Sequence, residues 1–137
     1  WLNPGSPKVH MYSDQAHKKG EYDAEGVKRF MTRLGLDESE IVCKDHNAVQ
    51  TMSTNELDQY LTQSTYGAVL FVGSSQHKHT HALCIKKTHD KYVVIDGSSF
   101  NRNFAATSAA SAIVHARTLC ARKKTNTHSW LDSFVCV

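Results

Sequence analysis

The sequence predicts an α+β fold with a central antiparallel sheet and helices packed against it. The range 68–72 is an unbroken apolar run between Gly67 and Gly73, which is typical of a strand covered on both faces. The ranges 80–86 and 91–96 flank a short polar turn, a pattern that indicates a β-hairpin. Apolar residues recur at helical spacing elsewhere in the chain, so we expect helices to cover this sheet.

The elements before the central run begin with an amphipathic helix over 23–34. Its first residue is an aspartate that can cap the start, and Gly35 closes the end. The range 36–44 then predicts a short strand or extended segment. Ser53 and Glu56 have the spacing of a capping box, which indicates that a second helix starts there.

The elements after the hairpin are a loop over 97–103, an alanine-rich helix over 104–123 and a final strand over 130–137. Basic residues, Arg117 among them, lie toward the end of this helix. Cations are favourable there because a helix C-terminus carries partial negative charge. The basic cluster therefore has a structural explanation without a ligand.

Length and composition indicate one domain over 1–137, with an irregular lead-in over 1–20 and a folded core over 21–137. A chain of 137 residues with 40% hydrophobic content is long enough to bury a core. The net charge of +3 permits weak attraction to nucleic acid but does not predict a dedicated binder. Because the chain starts with Trp1 rather than Met, we expect it to be a piece of a longer product.

The four cysteines, Cys43, Cys84, Cys120 and Cys136, are widely separated and contain no CxxC pair. Most of them lie in apolar runs, which favours buried thiols of a reducing, cytoplasmic compartment. No apolar run approaches the length of a membrane span, and the start lacks a signal-peptide pattern. We therefore expect a soluble protein with no membrane partner.

The pair His81 and Asp96 is the main candidate for catalytic chemistry. His81 lies near the start of one hairpin strand and Asp96 at the end of the other. Those two ends are adjacent in an antiparallel pair, so the imidazole and the carboxylate can hydrogen-bond. A histidine oriented by a carboxylate has the arrangement of a general base with its orienting residue. The alternative is that both are ordinary polar residues at strand ends and turns.

The order of elements resembles the later part of papain-like cysteine peptidases, and Josephin-type deubiquitinases in particular. The resemblance rests on GEYDAEGVKRFMTRLGL as the helix before the sheet and on MSTNELDQYLTQSTYGAVLFV as the next helix and first central strand. HTHALCIKKTHDKYVVIDGSS resembles the strand with the catalytic histidine, the turn and the strand with the acid. It implies that His81 is the general base, that Asp96 orients it, and that the substrate is a protein or peptide, including ubiquitin-like proteins and polyproteins.

The nucleophile that this resemblance implies has no obvious position in the chain. The family places its cysteine at the start of an upstream helix, but 1–20 contains no cysteine. Cys43 and Cys120 are the remaining candidates, although Cys43 lies in a strand-like run and Cys120 late in a helix, where the dipole disfavours a thiolate. Cys84 should point away from His81 and into the core. We therefore expect a nucleophile outside the chain or lost, and no cysteine-peptidase activity from the chain alone.

Two other classes of function remain open. The first is a catalytically inactive module derived from such a fold, which binds a protein or nucleic acid. The second is a metal site, because His77, His79 and His81 alternate and would share one face of an extended segment. The favoured interpretation requires neither a metal nor a cofactor, and the sequence indicates no oligomeric state.

Overall fold

The computed structural model describes residues 23–75, 80–96, 104–120 and 128–137, with only the backbone described for Leu119 and Cys120. Within these residues, six strands form one antiparallel sheet in the order β1-β6-β2-β3-β4-β5. The elements are α1 (Ala24–Arg33), a 3₁₀ turn (Glu38–Glu40), β1 (Val42–Lys44), α2 (His46–Thr51), α3 (Thr54–Gln63), β2 (Gly67–Ser74), β3 (His81–Lys87), β4 (Tyr92–Ile95), β5 (Phe104–Ala106), α4 (Ala109–Cys120) and β6 (Ser129–Cys136). The α+β class and the antiparallel sheet with packed helices are therefore confirmed. A papain-like order of elements stays a prediction.

The sheet separates two hydrophobic clusters, one on each face. The larger cluster packs α2, α3 and α4 against the sheet through residues such as Val72, Leu83 and Val94. The smaller cluster packs Ala24 and Met31 of α1 against the opposite face. Because β2 contributes buried residues to both clusters, it is the covered central strand that its apolar run predicts.

Side-chain caps fix the starts of the first helices as the sequence predicts. Asp23 accepts a hydrogen bond from the backbone N–H of Gly26 at 2.8 Å at the start of α1. Ser53 and Glu56 form the reciprocal bonds of a capping box at the start of α3. These bonds satisfy backbone N–H groups that have no partner within the helix.

The predicted helix over 104–123 is wrong at its beginning. Phe104–Ala106 forms the edge strand β5, paired with β4, and α4 begins only at Ala109. The Ser108 hydroxyl accepts a hydrogen bond from the Ser111 backbone N–H and so marks the helix start. Pairing with β4 outweighs the helix propensity of the alanines, because tertiary contacts routinely override local preference.

The short helix α2 was not predicted from the sequence. Asp45 caps it by accepting a hydrogen bond from the Ala48 backbone N–H at 2.8 Å, and Val49 is its one buried residue. With a single buried position, the segment has no helical periodicity to detect.

The predicted irregular lead-in over 1–20 and the predicted loop over 97–103 lie outside the described residues. In the described part of the chain, every helix is too short or too polar to cross a membrane.

Candidate active site

His81 and Asp96 lie together, as the hairpin pattern predicts. The Nε2 atom of His81 is 2.9 Å from the Oδ1 atom of Asp96. His81 begins β3, and Asp96 directly follows β4, its antiparallel neighbour. The predicted hydrogen bond across the hairpin is therefore confirmed, whereas the catalytic role of the pair stays a prediction.

The two side chains differ in their access to solvent. The carboxylate of Asp96 is buried, with 5% of its side-chain surface exposed, whereas 37% of the His81 side-chain surface is exposed. A shielded carboxylate holds the imidazole firmly because little water competes for the hydrogen bond. The imidazole remains accessible to another group. This asymmetry is what a general base with an orienting acid requires.

The pair lies at one end of the sheet, which we call the His81 end. His81 is opposite Val72 of β2, and Ser74 at the end of β2 is opposite Ser129 at the start of β6. Val72 and Leu83 belong to the larger cluster, and His81 precedes Leu83 by one strand period. The His81 side chain is therefore on the sheet face that α4 covers.

Cys43 lies far from His81, and the structure gives no support for it as the partner nucleophile. It belongs to β1, which is separated from β3 by β6 and β2, a distance of about 14 Å at the usual strand spacing. Its side chain packs with the smaller cluster on the opposite face. Burial first, and the nearby Glu25 carboxylate second, raise the pKa of the Cys43 thiol to about 12.

Cys84 and Cys136 are also poor candidates for a nucleophile beside His81. Cys84 points to the opposite face from His81, as predicted, but it is exposed rather than part of the core. The prediction that it is buried is wrong because, within the described part of the chain, α1 packs against β1 and β6 rather than over Cys84. Cys136 is buried at the far end of β6, and burial raises the pKa of its thiol to about 12.

Cys120 differs from the other three cysteines in its backbone position. Helix α4 follows β5, which runs away from the His81 end, so the helix returns toward that end. Arg117 in its last turn confirms this direction, since its Nη2 atom donates to the Ser129 backbone oxygen at 2.9 Å. The backbone of Cys120 is therefore placed at the His81 end, although it occupies a helix C-terminus, where the dipole disfavours a thiolate.

The proposed histidine metal site is largely outside the described residues. His77 and His79 belong to that undescribed part, and His81 is hydrogen-bonded to Asp96. Among the described residues, no group of three metal-ligating side chains comes together. The metal interpretation therefore gains no support from the part of the chain that is described.

A second histidine and aspartate pair exists that the sequence did not reveal. The Nδ1 atom of His46 is 2.9 Å from the Oδ1 atom of Asp132. Asp132 lies at an irregularity of the β2 and β6 pairing, and 27% of its side-chain surface is exposed, compared with 53% for His46. The two residues are distant in sequence, and an exposed ion pair of this kind contributes little to stability. It lacks the shielded carboxylate of the first pair.

Thiol reactivity should follow these environments. We expect iodoacetamide at neutral pH to modify Cys84 before Cys43 and Cys136, because the thiolate is the reactive form and the raised pKa values keep the latter two protonated. Desolvation also raises the pKa of Cys84, but its exposure gives the reagent access. Peptide mapping by mass spectrometry after short reaction times checks the order. Modification of Cys43 before Cys84 would contradict the described packing.

Comparison with known proteins yields no relative for this chain. It matches none of the protein-family models, curated proteins or solved structures with which it was compared. The resemblance to papain-like peptidases therefore stays an expectation from short sequence patterns. The geometry around His81 and Asp96 has to support the functional interpretation by itself.

Proposed function

We propose that this domain carries the general-base half of a cysteine-peptidase-like hydrolase site that acts on protein or peptide substrates. The observation that supports the proposal most strongly is the contact between the accessible His81 imidazole and the shielded Asp96 carboxylate. A histidine held by a carboxylate is how hydrolases activate a nucleophile at neutral pH.

In this proposal each ring nitrogen of His81 has a distinct role. Because Nε2 contacts Asp96, we assign the ring proton to Nε2, whose N–H donates a hydrogen bond to the carboxylate, so the neutral ring has its acceptor at Nδ1. Nδ1 takes the proton of a cysteine thiol, and the resulting thiolate attacks the substrate carbonyl. The imidazolium then returns this proton to the leaving amine. Water, deprotonated by the same nitrogen, finally releases the acyl group from sulfur.

The nucleophile in this proposal comes from outside the described side chains. Cys43, Cys84 and Cys136 lie on the opposite face of the sheet from His81, far from it across or along the sheet, or both, which argues against them as its partners. A segment beyond these 137 residues is the favoured source, and Cys120 is the alternative within the chain because its backbone lies at the His81 end. A thiol-reactive peptide probe tests the function, since labelling of the nucleophile must depend on His81.

The tautomer of His81 provides a test of the pair itself. In the native chain we expect the neutral imidazole to carry its proton on Nε2, because the Asp96 carboxylate accepts from that atom. Long-range ¹H–¹⁵N NMR spectra of the ring distinguish the two nitrogens. In Asp96→Ala the preference for this tautomer should fall, while His46, next to Asp132, serves as an internal control. A native His81 ring protonated at Nδ1 would contradict the assigned roles.

A further inference from the structure

A second polar cluster lies at the His81 end of the sheet, and two of its atoms have no hydrogen-bond partner among the residues that the structure describes. The Nη2 atom of Arg117 donates to the Ser129 backbone oxygen, but its Nε atom is buried without a hydrogen-bond acceptor. The hydroxyl of Ser74 is also buried without a partner, and Ser74 is only 4% exposed.

The sheet register brings these residues together. Ser74 and Ser129 are directly opposite each other on β2 and β6. Ser74 follows Val72 by two residues, so both point to the face that α4 covers. Arg117 extends from α4 to the Ser129 backbone, so its guanidinium reaches the strand pair that carries both serines.

Within the described part of the chain, no salt bridge joins Arg117 to a carboxylate. A buried N–H group without an acceptor is destabilising, and the penalty is larger when the group is charged. Native proteins usually satisfy such groups, so this guanidinium and the Ser74 hydroxyl indicate an acceptor that comes from outside the described residues.

We propose that Arg117 and Ser74 bind a carboxylate group, and that in the hydrolase proposed above, on which this assignment rests, the carboxylate belongs to the substrate. A carboxylate accepts hydrogen bonds from a guanidinium N–H and from a hydroxyl at the same time. Both donor atoms are shielded from bulk water, so entry of the carboxylate requires a local movement of Arg117.

The distance between Ser74 and His81 indicates which carboxylate group of a substrate would bind there. Ser74 is the diagonal neighbour of His81 across β2 and β3, since Val72 is directly opposite His81, and such neighbours are about 7 Å apart. Adjacent Cα atoms of a peptide are about 3.8 Å apart, so the site is one to two residues from a bond attacked beside His81. The substrate class is therefore a peptide with an acidic side chain or a free C-terminus next to the cleaved bond.

The Arg117 Nε–H resonance gives a direct test in the ¹⁵N-labelled chain. The resonance is assigned by its loss in Arg117→Gln, and sodium acetate is added at constant ionic strength. We expect a saturable shift with a dissociation constant in the millimolar range, which is reasonable for so small a ligand. Acetamide, which has the same size but no charge, should produce no saturable shift.

Two variants distinguish acetate binding at this site from a nonspecific effect of positive charge. Ser74→Ala preserves Arg117 and should weaken acetate binding about tenfold, because it removes one of the two donors. Arg29→Gln removes the same charge from the exposed surface of α1, on the opposite face of the sheet, and should leave acetate binding unchanged. A non-saturating shift, or equal weakening by Arg29→Gln, would overturn the carboxylate site.

The source of the carboxylate is tested with two further probes. Nα-acetylalanine, which ends in a free carboxylate like a peptide C-terminus, should displace acetate, whereas its amide should not. If chloride binds as well as acetate while Nα-acetylalanine does not bind, the site takes free small anions and the assignment to substrate is wrong. Acetate binding should survive His81→Ala, so failure of this site and failure of the proposed hydrolase are separate results.

Discussion

Gly67→Ala is expected to lower the free energy of unfolding by about 3 kcal/mol or more. Gly67 begins β2 with a φ of +137°, a conformation that residues with a side chain rarely adopt. A Cβ atom at this position would lie within van der Waals overlap of the Ile85 backbone oxygen on β3. Because that oxygen belongs to the central ladder, relief of the overlap requires the two strands to separate. Urea denaturation followed by circular dichroism measures the change.

Gly35→Ala is the matched control for that prediction. Gly35 also has a positive φ, of +97°, but a Cβ atom there would have no atom within 4 Å. The substitution therefore adds only backbone strain at the end of α1, which costs about 1 kcal/mol. Equal losses for the two variants would show that the contact with β3 is not what makes Gly67 necessary.

The parts of the fold that the sequence predicts are those with strong local signals. The caps at Asp23 and Ser53 and the apolar run of β2 depend on residues close in sequence, and all three are found in the structure. The hairpin likewise brings His81 and Asp96 together because a short turn fixes which residues of its strands are opposite. Local chemistry is sufficient for these features.

Apart from the short helix α2, the features that were missed depend on contacts between distant segments. Phe104 lies in a strand because β4 is available as a partner, and its ring stacks on His115 of α4 at 3.9 Å between centroids. Similarly, Arg117 reaches Ser129 only because α4 runs back across the sheet. No sequence period encodes such contacts, so the polar cluster near His81 becomes visible only in the structure.

The exposed position of Cys84 shows a related difficulty. Alternation along β3 predicts correctly that Cys84 points away from His81. Whether that face is covered depends on where α1 packs, and α1 packs against β1 and β6 rather than β3. Strand periodicity predicts which face of the sheet Cys84 is on, but it does not predict whether a helix packs against that face.

The dependence of thiol labelling on His81 is the second large effect that we expect. A base that removes the thiol proton accelerates the reaction of its cysteine by about 10² to 10⁴. His81→Ala should therefore reduce labelling of the nucleophilic cysteine by a factor in this range. Asp96→Ala should also reduce it, because the imidazole loses the carboxylate that orients it. His46→Ala is the matched control, since it removes the other described histidine that contacts an aspartate.

The most direct measurement compares labelling by a thiol-reactive ubiquitin or peptide probe of this 137-residue chain with labelling of the whole gene product, which we propose is longer than this chain. Intact mass gives the stoichiometry, and peptide mapping identifies the cysteine. We predict no rapid stoichiometric labelling of the chain alone, and labelling of one cysteine in the whole product that is lost in His81→Ala and retained in His46→Ala. Rapid labelling of Cys120 in the chain that requires His81 would place the nucleophile within the chain and preserve the role of the pair. Labelling that survives His81→Ala, or no labelling of either protein, would contradict the assignment of His81 and Asp96 as the general-base half of a hydrolase site.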